Sequence, residues 1–136
     1  MQFLQKQFRQ RLKPISMKNI LKLEEAAMFA LSIYGLYSLQ AEWWWFALLV
    51  LGPDISMLGY LAGNNAGAAC YNLFHHKAVA VVVFMAGLLM PNLILQLVGI
   101  VLLGHSSMDR MMGYGLKTTE GFKYTHLGVI GKKNQL

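Results

Sequence analysis

Between Ala78 and Gly104 the sequence carries no charged side chain. Coiled as a helix at 1.5 Å per residue, that run is about 40 Å long, which exceeds the roughly 30 Å hydrocarbon core of a bilayer. Pro91-Asn92 divides it. Because proline interrupts the helical ladder, the run reads as a helical hairpin, with one helix from about Ala66 to Met90 and another from Asn92 to Met112. One long, tilted and kinked span is the alternative, and it lowers the number of crossings from four to three. Only 13% of the chain is charged and 56% is hydrophobic. A soluble domain has about 25% charged residues, so the usual polar surface is missing.

The charges that exist are placed at the ends. Lys and Arg occupy residues 6–22, Lys77, and residues 110–133, giving a net charge of +6. Basic ends around an apolar body fit the positive-inside rule and attraction to anionic lipids. They argue against nucleic acid, since stacking aromatics are not interleaved with the cations. Basic residues at both ends also favour an even number of crossings, with both termini cytoplasmic at the inner membrane. Cys70 stands alone, which excludes an internal disulfide and a thiolate cluster, and it reads as a small buried apolar side chain. The apolar stretch 26–39 after a basic start resembles a signal peptide but lacks a small-x-small cleavage site, so it reads as a retained helix.

The expected fold is all-α: a polytopic, four-transmembrane-helix bundle over residues 21–112, forming a single membrane domain 1–136. Residues 1–20 form a basic amphipathic segment, with Leu4, Phe8, Leu12 and Ile15 at helical spacing among Lys6, Arg9, Arg11 and Lys13, interrupted by Pro14. A frayed tail is the other reading of this segment. The first span is expected at Leu21–Leu39, with Tyr34 and Tyr37 toward the far interface. Trp43-Trp44-Trp45 marks the outer boundary of the second, because indole rings favour the membrane interface. Gly52-Pro53-Asp54 then predicts a break, tolerated at membrane depth only where the freed backbone faces protein or water. Gly59, Gly63 and Gly67 recur every fourth residue, a stripe suited to close helix approach and to a homo-oligomer. Gly113-Tyr114-Gly115 reads as a helix stop, and residues 113–136 as a cytoplasmic tail.

Ionisable side chains inside a span are costly and therefore candidates for function. Counted from the presumed outer ends, Asp54 lies roughly 17 Å deep, His105 roughly 20 Å, Glu24 and His75 roughly 23 Å and Asp109 roughly 26 Å. They share one layer. His105 and Asp109 are four apart, on one helix face. His75 and His76 are about 100° apart, so only one faces that centre; His75 is the choice. Imidazoles and carboxylates suit a divalent transition metal, zinc, manganese or iron, in a helical bundle. The ligand set is Asp54, His75, His105 and Asp109. A structural network neutralising Lys77 and Arg110, or a proton pathway, uses the same residues differently. Asn64, Asn65 and Asn72 are placed to bond across helices, and His126 reads as a solvated tail residue unless it folds back to the site.

The stretches Pro53 to Tyr60, Tyr71 to His76, Gly104 to Arg110 and Thr125 to Gly128 together resemble a bacterial membrane family, domain of unknown function forty-two sixty. The resemblance implies a small multi-pass membrane protein and brings no activity. A fainter similarity is to membrane-bound metal-dependent hydrolases with a Pro-Asp-x-Asp turn, paired histidine motifs and a later His-x-x-x-Asp. Here Ser56 replaces the second aspartate, and the first histidine motif lacks its usual Arg-Gly and Thr-His-Ser continuation.

These readings converge on hydrolysis of a lipid-linked or membrane-proximal substrate. A metal with an open position would lower the pKa of bound water, Glu24 or Asp54 would take its proton, and Arg110 would steady an anionic leaving group. A transport component and a non-catalytic scaffold are the alternatives.

Overall fold

A computed structural model of the chain describes residues 1–11 and 15–132. Leu12, Lys13 and the break expected at Pro14 lie outside the described residues. The helices are α1 (Gln2–Arg11), α2 (Met17–Ser38), α3 (Trp43–Leu51), α4 (Asn64–His75), α5 (Lys77–Leu89) and α6 (Leu93–Met112), with a 3₁₀ segment at Gly52–Ala62 between α3 and α4. Strands β1 (Tyr124–Thr125) and β2 (Gly128–Val129) form an antiparallel pair in the tail, so the chain is mostly rather than wholly helical.

The centre of the bundle is α6, which packs against α2, α3, α4 and α5. Its apolar half joins Leu36, Trp45 and Leu49 through Leu97, Ile100 and Val101 to make the core. Its C-terminal half buries His105, Ser106, Ser107 and Asp109 instead. Polar side chains are therefore inside, while Leu51, Leu61, Val82 and Leu89 face outward. Of the three consecutive indoles, Trp43 and Trp44 are exposed, whereas Trp45 enters the core and stacks on Trp44 at 4.5 Å.

The expected hairpin is present. The chain turns at Met90–Asn92, and Asn92 caps α6 by accepting from the Leu95 amide at 3.2 Å. The expected continuous helix Ala66–Met90 is not. It divides at His76, where α4 and α5 meet at 51°. His76 is extended and its Nδ1 accepts from the Ala78 amide, starting a new helix, while Lys77 pairs with Glu25 of α2. Among the described residues one helical run, Trp43–Ala62, is long and apolar enough to cross a membrane; α4 with α5 makes a second only if the bent pair counts as one span. Two features keep α2 and α6 from qualifying: α2 opens with Lys18, Lys22, Glu24 and Glu25, and α6 closes with His105, Ser106, Ser107, Asp109 and Arg110.

At Pro53 the α-helix gives way because proline has no amide hydrogen to donate. Ser56 Oγ donates to the Pro53 carbonyl at 2.7 Å, an i to i+3 link that supports the tighter 3₁₀ winding. Gly63, at φ +103°, then reverses the chain into α4. Two glycines of the stripe, Gly59 and Gly67, make close contacts within the chain. A Cβ on Gly59 would sit 2.7 Å from Cys70 Cβ, and one on Gly67 would sit 2.3 Å from the Tyr60 ring. Cys70, expected buried, is exposed beyond that contact.

Candidate metal centre

Four ligand atoms converge where α6, α4 and the start of the 3₁₀ segment meet. Asp54, His75, His105 and Asp109 each offer one atom, all within 4.8 Å of one another. His105 Nε2 lies 3.1 Å from Asp54 Oδ1 and 3.8 Å from Asp109 Oδ2; His75 Nε2 lies 3.5 and 3.4 Å from the same two oxygens. A tetrahedral centre with bonds of about 2.0–2.1 Å has ligand atoms about 3.3–3.4 Å apart. The four histidine–carboxylate edges bracket that value and the remaining two lie within 4.8 Å, so the four residues form a group that could hold a metal ion once its widest edge contracts.

Each imidazole is fixed by a backbone carbonyl. His75 Nδ1 lies 2.8 Å from the Tyr71 carbonyl, and His105 Nδ1 lies 2.9 Å from that of Leu49. Carbonyls only accept, so both Nδ1 atoms must carry hydrogen, and in a neutral ring the Nε2 lone pair then points into the cluster. Hydrogen bonding of the second ring nitrogen is the usual way a protein orients a metal-binding histidine.

The Leu49 carbonyl is free for a local reason. In a continuous helix it would accept from the amide of residue 53, but residue 53 is proline. The break at Gly52-Pro53 therefore supplies the acceptor that orients His105. Pro53→Ala restores a competing amide. It is expected to weaken metal affinity by about tenfold while leaving the ligands intact, because the carbonyl that orients His105 is then shared; isothermal titration with zinc checks this, and an unchanged affinity would remove the carbonyl from the account.

Tyr71 serves both sides of the centre. Its hydroxyl donates to Asp109 Oδ2 at 2.8 Å, and its ring stacks on His75 at 3.7 Å. His75, His105 and Asp109 are buried; the Asp54 side chain is 38% exposed and forms the accessible edge. Arg110 Nη2 reaches the His75 carbonyl at 3.5 Å.

Of the sequence candidates, Asp54, His75, His105 and Asp109 are brought together, with Arg110 beside them. Glu24 is outside the group: it lies on an exposed face of α2, and its neighbour Glu25 is the residue that turns inward, to Lys77. His76 is an exposed helix cap. His126 Nδ1 accepts from the Leu116 amide and organises the tail. Asn72 does bond across elements, to the backbone of Lys117. Sequence reasoning missed Tyr71, although its place four residues before His75 puts it on the same helix face, and it missed Lys117, for which no local pattern exists.

The chain has no match among curated proteins or solved structures. The sequence profile of one family matches residues 18–130, which takes in every element that builds the centre. The chain therefore belongs to the family described as Domain of unknown function (DUF4260).

Proposed function

We propose that this protein is a polytopic inner-membrane protein that binds one divalent transition metal through Asp54, His75, His105 and Asp109 and hydrolyses a lipid-linked or membrane-proximal substrate. The observation that carries the metal is a conflict of acceptors. With both Nδ1 atoms protonated toward carbonyls, neutral imidazoles aim lone pairs at carboxylate oxygens 3.1–3.8 Å away. Acceptors at that distance repel in a poorly solvated site. His75 Nε2 is buried and lacks a hydrogen-bond partner among the described residues. A cation removes the conflict, and nitrogen with carboxylate oxygen suits zinc, manganese or iron.

Four crossings follow from grouping α3 with its 3₁₀ extension and α4 with α5, between α2 and α6. The outward Leu51, Leu58, Leu61, Val82, Leu89 and Ile94, each more than half exposed, support a lipid surround. Both basic ends then meet the anionic cytoplasmic leaflet.

For hydrolysis, the relevant features are the accessible edge at Asp54 and the neighbouring Arg110. Asp54 Oδ1 faces the histidines, leaving Oδ2 without a protein hydrogen bond among the described residues, free to accept a proton from water. A metal held by Asp54, His75, His105 and Asp109 would supply Lewis acidity. Arg110 supplies a fixed positive charge for an anionic product.

The test is turnover of phosphoester and acyl-ester lipids by the detergent-purified protein loaded with each metal in turn. Activity is expected to vanish on chelation, return with metal, and fall about 10²-fold or more in Asp54→Asn. Bound metal without turnover would retain the centre and discard hydrolysis. The same four groups can instead carry protons, since charging His75 and His105 also relieves the repulsion; gradient-driven proton flux in liposomes, with no metal bound, would favour that reading.

A further inference from the structure

We propose that Lys117 is a positioning residue of the metal centre, held over Tyr71 by the tail so that the Tyr71 hydroxyl fixes the Asp109 carboxylate. The inference rests on the metal reading above and concerns a residue forty-six positions beyond the tyrosine it serves.

Asn72 clamps the tail at this point. Its Nδ2 donates to the Lys117 carbonyl at 2.8 Å, and its Oδ1 accepts from the Lys117 amide at 2.7 Å. This two-bond pairing resembles one rung of a β-ladder and fixes the backbone of Lys117 against α4. A bridge from Lys117 to Thr125 of β1 holds the other side. With its backbone fixed from both sides, Lys117 is only 5% exposed.

Buried lysines are uncommon unless something satisfies the charge. Lys117 Nζ donates to the Phe122 carbonyl at 2.7 Å and lies over two rings, 4.0 Å from the centroid of Phe122 and 4.9 Å from that of Tyr71. Among the described residues it has no carboxylate within ion-pair distance. Its nearest counter-charges act through space: burial holds its pKa below the ordinary lysine value, and the fields of Asp109 and Asp54 oppose that shift.

The Tyr71 ring therefore has three attachments. It takes the ammonium on its π-system, stacks on His75, and donates to Asp109. A cation over a phenol ring is attracted to its π-face and draws electron density from the hydroxyl, making it a stronger donor. Metal-bound carboxylates are held by such bonds, whose loss typically costs 10–100-fold in affinity. The tail is thereby part of the site and more than a solvated end.

The experiment loads the full chain in detergent with cobalt(II), reading its visible absorption and its affinity by chelator competition. Lys117→Met keeps the aliphatic stem and is expected to weaken affinity by about tenfold and alter the cobalt spectrum. Lys117→Arg is expected to restore both. Tyr71→Phe is expected to lose at least as much, and adding Lys117→Met to it to cost nothing further, because the lysine acts through the hydroxyl that is already gone. Asn72→Ala, which releases the clamp and leaves Lys117 and Tyr71 unchanged, is the second route and is expected to reproduce the Lys117→Met spectrum. Wild-type affinity and spectrum in Lys117→Met or Asn72→Ala, or additive losses in the double variant, overturn the proposal while the metal centre stands. Failure of the wild type to take up cobalt overturns the metal reading and this one with it.

Discussion

Replacing His105 with alanine is expected to empty the metal centre. The wild-type protein purified in detergent and reconstituted with zinc, manganese or iron should carry close to one ion per chain by elemental analysis, and His105→Ala should carry only background. The argument is positional. His105 is fully buried, and its two ring nitrogens make both the orienting contact to the Leu49 carbonyl and the contact to Asp54. Alanine removes a ligand and leaves a buried carbonyl unpaired, which costs about 1–3 kcal/mol besides the metal. Asp109→Ala should behave alike, because Asp109 Oδ2 faces both histidines and Tyr71. His76→Ala is the matched control: it removes an exposed cap and should leave the metal content at the wild-type level. Retention of metal in both His105→Ala and Asp109→Ala would sink the ligand assignment.

A second large effect is expected at Gly99, six residues before His105 on α6. A Cβ there would lie 2.6 Å from the Phe84 amide nitrogen and 2.7 Å from its Cα, so main chain stands in the way and α5 and α6 must separate. Overpacking commonly costs about 1–3 kcal/mol, and a leucine inserted against backbone belongs at or beyond the upper end. Against a total stability of about 5–15 kcal/mol that is a large share. Gly99→Leu should therefore lose its monodisperse peak in detergent and melt well below wild type. Gly35→Ala provides the comparison, because its new methyl meets only the flexible end of Ile100 at 3.3 Å. If Gly99→Leu melted with the wild type, α5 and α6 could not be in backbone contact at Gly99 and Phe84.

Much of this architecture could be read from residues in sequence. Pro91-Asn92 marked the hairpin turn, and Asn92 does cap the following helix. Gly52-Pro53 marked the break after α3. Gly113, at φ +94°, ends α6 with the Gly113 and Tyr114 amides returning to the Arg110 and Asp109 carbonyls. These features are local: a proline lacks its donor, and a glycine tolerates positive φ, whatever the rest of the chain does. The i, i+4 spacing of His105 and Asp109 is of the same kind, and so the pair was legible.

What failed was continuity. A helix through Ala66–Met90 was expected because no proline or glycine signals a stop at His76, yet the chain bends there. The capping nitrogen comes from the histidine itself, and Lys77 is held by a glutamate fifty-two residues earlier in sequence. The glycine stripe is interrupted for a related reason. Its spacing implies one helix face, but Gly63 turns the chain, and the 3₁₀ segment folds against α4 so that Gly59 and Gly67 make their close contacts at home.

By itself the sequence determined the apolar character, the approximate helices and the chemistry available: four groups able to bind a cation, and cations gathered at the ends. Only the tertiary structure decided which atoms meet. Each residue turns a helix by about 100°, so a small shift at a break re-aims every side chain beyond it. The bend at His76 puts His75 inside and His76 outside. The rotation of α2 turns Glu25 inward to Lys77 and leaves Glu24 exposed. The folding of the tail against α4 buries Lys117 over Tyr71. Local rules act over three or four residues, whereas these meetings join positions tens of residues apart and depend on how whole helices are rotated and packed.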